Sequence, residues 1–298
     1  MGSITQDWES QRSQNRTLQI LEAAETGKYG VLATIAYNIE HILGFVKAAE
    51  QARSPIIIQF FPWAITFSNG LLIRAAADAA KRASVPVAIH LDHAQDEALI
   101  RHAADTLPFD SIMVDMSHFE KEENLRKTKE LVRYCQDRGI ATEAEPGRIE
   151  GGEDGVMDTE GLEGMKTTTE EASDFVATGV DSLAPAIGNV HGEYGPAGPN
   201  LDFERLELVR AHVNGKVRIV LHGTNGFKPE LLQRCIAAGV SKINVNKLVL
   251  DDYFDHLKAN VSKLTTTVLM EEGVEKVVRQ TVEWMENIGS AGKAPKKA

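Results

Sequence analysis

Hydrophobic positions along the chain follow two alternating patterns. Short apolar runs typical of buried parallel strands alternate with longer stretches whose apolar residues recur at helical spacing. The runs that predict strands are 29–36, 54–61, 85–93, 111–116, 140–145, 181–188, 217–222 and 240–246. The stretches that predict helices are 39–53, 71–83, 96–106, 122–138, 169–178, 202–213, 229–238 and 247–264. Eight strand–helix units with parallel pairing and right-handed crossovers predict a closed (β/α)8 TIM barrel of the α/β class.

The remaining segments add little to this barrel. An open doubly wound sheet is the alternative fold, but it gives no reason for eight regular units. The amphipathic stretch 270–288 predicts an added C-terminal helix. The polar leader 1–16 and the Lys/Pro/Ala-rich tail 292–298 are expected to be flexible. We therefore expect a single barrel domain over residues 1–298.

Composition narrows the class of protein. With 298 residues, 43% of them hydrophobic, the chain can bury one barrel-sized core. Its net charge of -11 argues against binding nucleic acid or acidic membrane surfaces, because both need clustered positive charge. No run is apolar enough to span a bilayer, and residues 1–19 lack a signal-peptide core, so we expect a cytoplasmic protein. Cys135 and Cys235 form no CxxC pair and are expected to be free thiols.

Candidate chemistry collects at the carboxyl ends of the predicted strands, where barrel enzymes form their active sites. The polar residues found there are Asp92, His93, Asp115, Glu143, Glu145, His191, His222 and Asn244. A typical core does not leave so many at one end, because each unpaired buried polar group costs about 1–3 kcal/mol. The three histidines suit zinc with an open position for substrate. Zinc is the expected metal, although cobalt and other divalent ions can occupy similar nitrogen sites.

Glycines accompany the last two histidines. They occur in His191-Gly192 and in the run His222-Gly223-Thr224-Asn225-Gly226. Glycine lets the backbone approach an anion closely and donate N–H groups to it. Because the loops after strands 7 and 8 of barrels frequently bind phosphate, this run predicts a phosphate site.

These motifs together resemble the class II ketose-bisphosphate aldolases, over roughly residues 17–294. In combination the motifs are specific, because they follow the family's order at the expected strand ends. The segments that carry the resemblance are His90-Leu91-Asp92-His93, Glu143-Ala144-Glu145, Gly151-Gly152-Glu153-Asp154, Ala184-Pro185-Ala186-Ile187-Gly188 leading to His191-Gly192, His222-Gly223, Lys242-Ile243-Asn244-Val245 and the ending 289–294.

The resemblance implies a zinc-dependent barrel, usually a homodimer or homotetramer, acting on a small-molecule sugar phosphate. Its expected reaction is the reversible cleavage of fructose 1,6-bisphosphate to dihydroxyacetone phosphate and glyceraldehyde 3-phosphate. Tagatose bisphosphate or another ketose phosphate is the alternative substrate, since the sequence does not determine the stereochemistry at C4. A barrel that binds sugar phosphate without catalysis is a further alternative. The presence of Asp92, Glu153 and all three histidines argues against it.

The resemblance also implies a role for each matching residue. His93, His191 and His222 would bind the zinc, and Glu145 and Asp115 would bind a metal in an alternate position or orient the histidines. The zinc would act as a Lewis acid on the ketone. The other implied site residues are Asp92 for proton transfer at the C4 hydroxyl, Glu153 for proton exchange at the enediolate carbon, Asn244 for the enediolate oxygen, and Gly192, Gly223, Thr224 and Asn225 for the phosphate.

The sequence departs from the family pattern around the phosphates. Gly195 stands where the family often has a lysine, and we hypothesise that Lys247 restores that charge. Leu250 stands where the family often has an arginine associated with the far phosphate, and leucine cannot make a charge-assisted bond. Thr224 and Asn225 replace the commoner Ala-Ser. The leucine therefore removes one contact expected for the second phosphate of a bisphosphate substrate.

A Schiff-base aldolase is the rival mechanism. Lys242 precedes Asn244 by two residues, so strand alternation puts both side chains on one face. A desolvated lysine can be nucleophilic. This interpretation would leave the three histidines unexplained.

Overall fold

The computed structural model describes residues 5–152 and 164–295, built around a closed barrel of parallel strands. The strands are β1 (Val31–Ile35), β2 (Ile56–Phe60), β3 (Val87–Ala94), β4 (Ser111–Val114), β5 (Ala141–Ala144), β6 (Glu150–Gly151), β7 (Ser182–Leu183), β8 (Val190–His191), β9 (Arg218–Leu221) and β10 (Val240–Val245). Around the barrel the order is β1, β10, β9, β7, β5, β4, β3 and β2, with β2 returning to β1. The predicted TIM barrel is confirmed.

Helices cover the outside of this barrel and extend it at both ends of the chain. They are α1 (Thr5–Arg12), α2 (Arg16–Gly27), α3 (Ile39–Ala52), α4 (Pro62–Ser68), α5 (Leu71–Arg82), α6 (Glu97–Thr106), α7 (Lys121–Gln136), α8 (Thr169–Val176), α9 (Phe203–Val213), α10 (Pro229–Ala237), α11 (Lys247–Asn260) and α12 (Thr266–Asn287). The added C-terminal helix, α12, packs against α3 and α11. No helix in the described part of the chain is both long and apolar enough to cross a bilayer.

The structure differs from the sequence prediction in the sixth barrel strand. The apolar run 181–188 predicts a long strand, but β7 ends at Leu183. Pro185 lacks the N–H that a ladder requires, which explains why pairing stops there. The chain then forms β8, which pairs in parallel with β6 outside the barrel and places His191 opposite Gly151.

The described parts of the leader and the tail make contacts with the rest of the chain. Trp8 on α1 is buried with Leu18, and Asn15 Nδ2 donates to the carbonyl oxygen of Asp110 at 2.8 Å. In the tail, the backbone N–H groups of Gly292 and Ala294 donate to the carbonyl oxygens of Ala52, the last residue of α3, and of Arg53. The described parts of both segments therefore pack on the barrel.

Candidate active site

The end of β3 brings two adjacent functional side chains to the same pocket. The pairing of β3 with β4 shifts register between Leu91 and Ala94, and His93 has a φ of 46°. A regular strand alternates its side chains between two faces, whereas a bulge re-aims one of them. Asp92 and His93 consequently both line the pocket at the carboxyl end of the barrel.

The three predicted histidines converge at this pocket. Their ring centroids are 4.7 Å apart for His93 and His191, 4.8 Å for His93 and His222, and 5.6 Å for His191 and His222. His93 Nε2 lies 3.0 Å from His222 Nδ1. Three elements that are distant in sequence, β3, β8 and the end of β9, therefore supply imidazoles to one point.

Glu145 lies with the three histidines, and its carboxylate shows whether the four residues suit a metal ion. One ligand atom from each of His93, Glu145, His191 and His222 lies within 4.8 Å of the others, and all four residues are buried. Glu145 Oε1 accepts from the Ile149 N–H at 2.8 Å, but Oε2 has no hydrogen-bond partner among the described residues. Burial and the Asp115 charge raise the pKa of Glu145 to about 8. A divalent cation would satisfy this buried oxygen, so the residues fit a metal.

Asp115 lies behind His93 rather than beside the other donors. Its Oδ2 is 2.8 Å from His93 Nδ1, and its Oδ1 accepts from the Ser117 hydroxyl at 2.6 Å. Although burial opposes ionisation, these hydrogen bonds and the His93 charge hold the pKa of Asp115 well below its usual range. Burial also opposes a charged His93, yet the carboxylates of Asp92, Asp115 and Glu145 raise its pKa to about 10. This carboxylate–histidine pair fixes which ring nitrogen faces the pocket.

Asp92 and Asn244 form a second polar pair next to the histidines. Asn244 Nδ2 donates to both carboxylate oxygens of Asp92, at 3.2 and 3.0 Å, and Gln59 Nε2 donates to Asp92 Oδ2 at 3.1 Å. Burial raises the pKa of Asp92. Asn244 Oδ1 is buried without a hydrogen-bond partner among the described residues. The pair therefore offers a poised carboxylate and an amide oxygen to whatever enters the pocket.

The glycine-containing loop after β9 closes one side of the pocket. Gly223, Thr224 and Asn225 all line it. Thr224 Oγ1 donates to the Asn244 carbonyl at 2.6 Å, and Asn225 Nδ2 donates to the Gly192 carbonyl at 3.0 Å. The two polar side chains thus tie this loop to β10 and to the loop after β8.

Lys247, Leu250 and Gly195, which concern the charges expected near the phosphates, lie in different environments. Lys247 begins α11, is half-exposed, and pairs with Glu193. Leu250 is fully buried in the hydrophobic core. A side-chain carbon added at Gly195 would meet no atom of the described residues within 4 Å. Lys247 is therefore at the start of α11, next to the pocket-lining Asn246, whereas Leu250 contributes packing.

Lys242 is not placed as a Schiff-base nucleophile would be. Its side chain is completely buried, and Nζ donates to Glu143 Oε2 at 2.8 Å. Its amine is thus held by Glu143, and Lys242 is not among the residues that line the pocket.

Some functional positions lie outside the predicted set. Gln59 donates a hydrogen bond to Asp92, and Asn246 lines the pocket. Nothing in the local sequence of β2 marks Gln59, since one polar residue in an apolar strand is uninformative. The predicted loop acid Glu153 lies outside the described residues.

Similar proteins identify the family of this chain. Residues 15–293 match the family described as class II fructose-bisphosphate aldolase. A protein of Coccidioides immitis (strain RS), provisionally named a fructose-bisphosphate aldolase, is 52% identical over 287 residues, covering 94% of this chain and 95% of its own length.

Solved structures show the same relationship. A crystal structure described as a provisional fructose-1,6-bisphosphate aldolase from Coccidioides immitis superposes with a TM-score of 0.92 at 52% identity, covering 94% of this chain and 98% of that one. The YdjI aldolase from Escherichia coli K12 gives 0.81 at 33% identity, covering 93% and 98%. A fructose-bisphosphate aldolase from Campylobacter jejuni, at 23% identity and 0.73 over 92% and 94%, shares the fold. The chain belongs to the class II fructose-bisphosphate aldolase family, and it is a carbon–carbon lyase.

Proposed function

We propose that this protein catalyses the reversible, zinc-dependent cleavage of fructose 1,6-bisphosphate to dihydroxyacetone phosphate and glyceraldehyde 3-phosphate. The observation that carries the proposal is the juxtaposition of two sets of groups in one pocket. Three histidines, and a Glu145 oxygen that has no hydrogen-bond partner within residues 5–152 and 164–295, lie beside the hydrogen-bonded pair of Asp92 and Asn244. The first set suits a divalent cation and the second suits proton transfer.

The metal would be held by His93, His191 and His222, with Glu145 as an alternate ligand and Asp115 orienting His93. When bound, a divalent cation supplies a Lewis acid that polarises the ketose carbonyl. Asp92 takes the proton from the C4 hydroxyl as the C3–C4 bond breaks, and it returns that proton in condensation. Its donors Gln59 and Asn244 keep the carboxylate aimed while it waits for substrate.

The remaining roles divide between the three-carbon fragment and the phosphate. Asn244 is assigned to the oxygen on which negative charge develops, and Glu153 to the protonation of C3. The phosphate is assigned to Gly192, Gly223, Thr224 and Asn225 together with the start of α11. A helix N-terminus favours an anion because its first N–H groups and its dipole point toward it.

Turnover of fructose 1,6-bisphosphate by purified protein tests the proposal directly. We expect cleavage that a chelator abolishes and added zinc restores, with no covalent trapping by borohydride. Absence of cleavage by zinc-loaded protein would contradict the proposed substrate. Tagatose bisphosphate and ketose monophosphates are the next compounds to assay, because Leu250 leaves the far phosphate without the family's usual arginine.

We also propose that the protein acts as a homodimer or homotetramer. This follows from the family and is measured by light scattering coupled to size exclusion. The only other partner we propose is the small sugar phosphate itself.

A further inference from the structure

A second cluster of buried polar side chains lies beneath the proposed metal site. His90, Asp92 and Glu143 present ligand atoms within 4.8 Å of one another, which resembles a second metal site. Lys242 argues against that interpretation. Its Nζ lies 2.8 Å from Glu143 Oε2 and 3.4 Å from His90 Nε2. The ammonium group thus already provides the positive charge that the acids of this cluster require.

Glu143 connects this cluster to a predicted metal ligand. While Oε2 accepts from Lys242, Oε1 lies 2.9 Å from His222 Nε2. A carboxylate only accepts hydrogen bonds, so Nε2 must carry the proton and donate it. Asn244 Nδ2 is also near Nε2, at 3.2 Å, but it is itself a donor and already serves Asp92. The lone pair of His222 is consequently on Nδ1, the nitrogen that faces His93.

The lower end of the cluster is anchored to the amino end of the barrel. With Lys242 donating to His90 Nε2, His90 Nδ1 donates to the Ser111 hydroxyl at 2.7 Å. That hydroxyl is hydrogen-bonded to Thr17 on α2 at 2.9 Å. All residues of this hydrogen-bonded series are buried. Glu143 is thereby held by Lys242, which the series fixes in place, as well as by its contact with His222.

We propose that the Glu143–Lys242 ion pair positions His222 for metal binding, a proposal that rests on the proposed metal-dependent function. Glu143 fixes the tautomer and the ring orientation of His222, so that Nδ1 is presented to the metal. Lys242 balances the charge of Glu143 and holds the carboxylate in place. Hydrogen-bond partners of this kind change metal affinity by about 10–100-fold when they are removed.

The test compares zinc dissociation constants of metal-free variants by competition with a chromogenic chelator. The double variant Glu143→Leu, Lys242→Met replaces the pair by apolar residues of similar size, so that no unpaired charge remains buried. We expect its zinc affinity to fall by about 10–100-fold. The double variant Glu143→Gln, Lys242→Met keeps an acceptor oxygen for His222 and should recover most of that loss. Urea unfolding of each metal-free variant confirms that it is folded.

Asp181→Asn is the matched control. Asp181 is a buried acid outside the pocket that pairs with Arg12. It also accepts a hydrogen bond from the backbone N–H of Thr142, which lies in the same strand as Glu143. We expect this variant to be less stable but to bind zinc like wild type. Unchanged affinity in the Leu/Met variant, or equal losses in the Leu/Met and Gln/Met variants, would overturn the positioning role. Wild-type protein that binds no zinc would instead overturn the proposed function.

Discussion

Asp92 combines deep burial with a full set of donors. Its carboxylate is 2% exposed, and Gln59 and Asn244 together give it three hydrogen bonds. A group in this setting is oriented before substrate arrives, which lowers the reorganisation needed during proton transfer. The role of Asp92 can therefore be tested separately from metal binding.

Asp92→Asn should lower kcat by about 10²–10⁴-fold, because the amide cannot accept the proton of the C4 hydroxyl. Zinc content should be unchanged, since His93, His191 and His222 remain. Steady-state kinetics and metal analysis on the same preparation make the measurement. Asp78→Asn, on the exposed surface of α5, serves as the control and should behave like wild type. A kcat within a few-fold of wild type would exclude Asp92 as the base.

Gly223→Ala should destabilise the protein and raise KM for the phosphate substrate. The residue has a φ of 67°, and an added Cβ would lie 2.3 Å from the Val190 carbonyl oxygen. The left-handed conformation alone costs alanine roughly 1–2 kcal/mol, and the contact forces the loop to move as well. Gly226 has a similar φ of 70°, and in the part of the chain that the structure describes no atom lies within 4 Å of an added Cβ, so Gly226→Ala should show only the conformational cost. Urea unfolding of both should separate them, and equal losses would contradict the close approach.

At the scale of the element, α11 has different functions at its first and second turns. Asn246 precedes the helix and lines the pocket. The next residue, Lys247, forms an ion pair with Glu193. One turn later, Leu250 is buried in the core. The helix thus directs its N-terminus toward the proposed phosphate position while its body packs on the barrel.

Lys247→Ala should raise KM for dihydroxyacetone phosphate in condensation by about 2- to 5-fold, since an exposed charge pair contributes at most about 1 kcal/mol. Its kcat should change little, because Lys247 is outside the reacting groups. Lys258→Ala, an exposed lysine near the end of the same helix, is the control. If KM for dihydroxyacetone phosphate does not change, Lys247 does not compensate for Gly195.

At the scale of the whole molecule, the amino-terminal segment closes the lower end of the barrel. Trp8 packs with Leu18 and Ala141, and Arg12 pairs with the buried Asp181 at 3.0 Å. These contacts join the helices before β1 to β5 and to the residue that precedes β7. They give the polar leader a structural role.

Trp8→Ala should lower the free energy of unfolding by about 3–5 kcal/mol, the range for removing a buried large aromatic side chain. Trp63→Ala is the matched control, because Trp63 is 36% exposed, and it should cost about 1 kcal/mol or less. Urea unfolding provides both values. If the Trp8→Ala variant is as stable as wild type, the leader does not stabilise the barrel and is flexible, as the sequence predicts.

Much of the fold and part of the site could be predicted from the sequence, because the signals are local. The two hydrophobic periods identify the barrel strands and most helices, since burial on one face requires the pattern. The Asp92-His93 pair, His191 and His222 were recognisable because polar residues at strand ends are costly without a function. The short β7 and the packed leader were not, because Pro185 and Trp8 act through pairing and contacts with distant segments.

The sequence by itself determined which residues are available at the carboxyl end of a parallel barrel. Only the tertiary structure decided how they pair. Lys242 could have been a nucleophile until barrel closure placed Glu143 against it, and Leu250 could have lined the pocket until α11 turned it into the core. The physical reason is that hydrophobic periodicity specifies the buried face of each strand and helix separately. Contacts between side chains depend instead on strand register and barrel closure, which bring together residues about 100 positions apart in the chain.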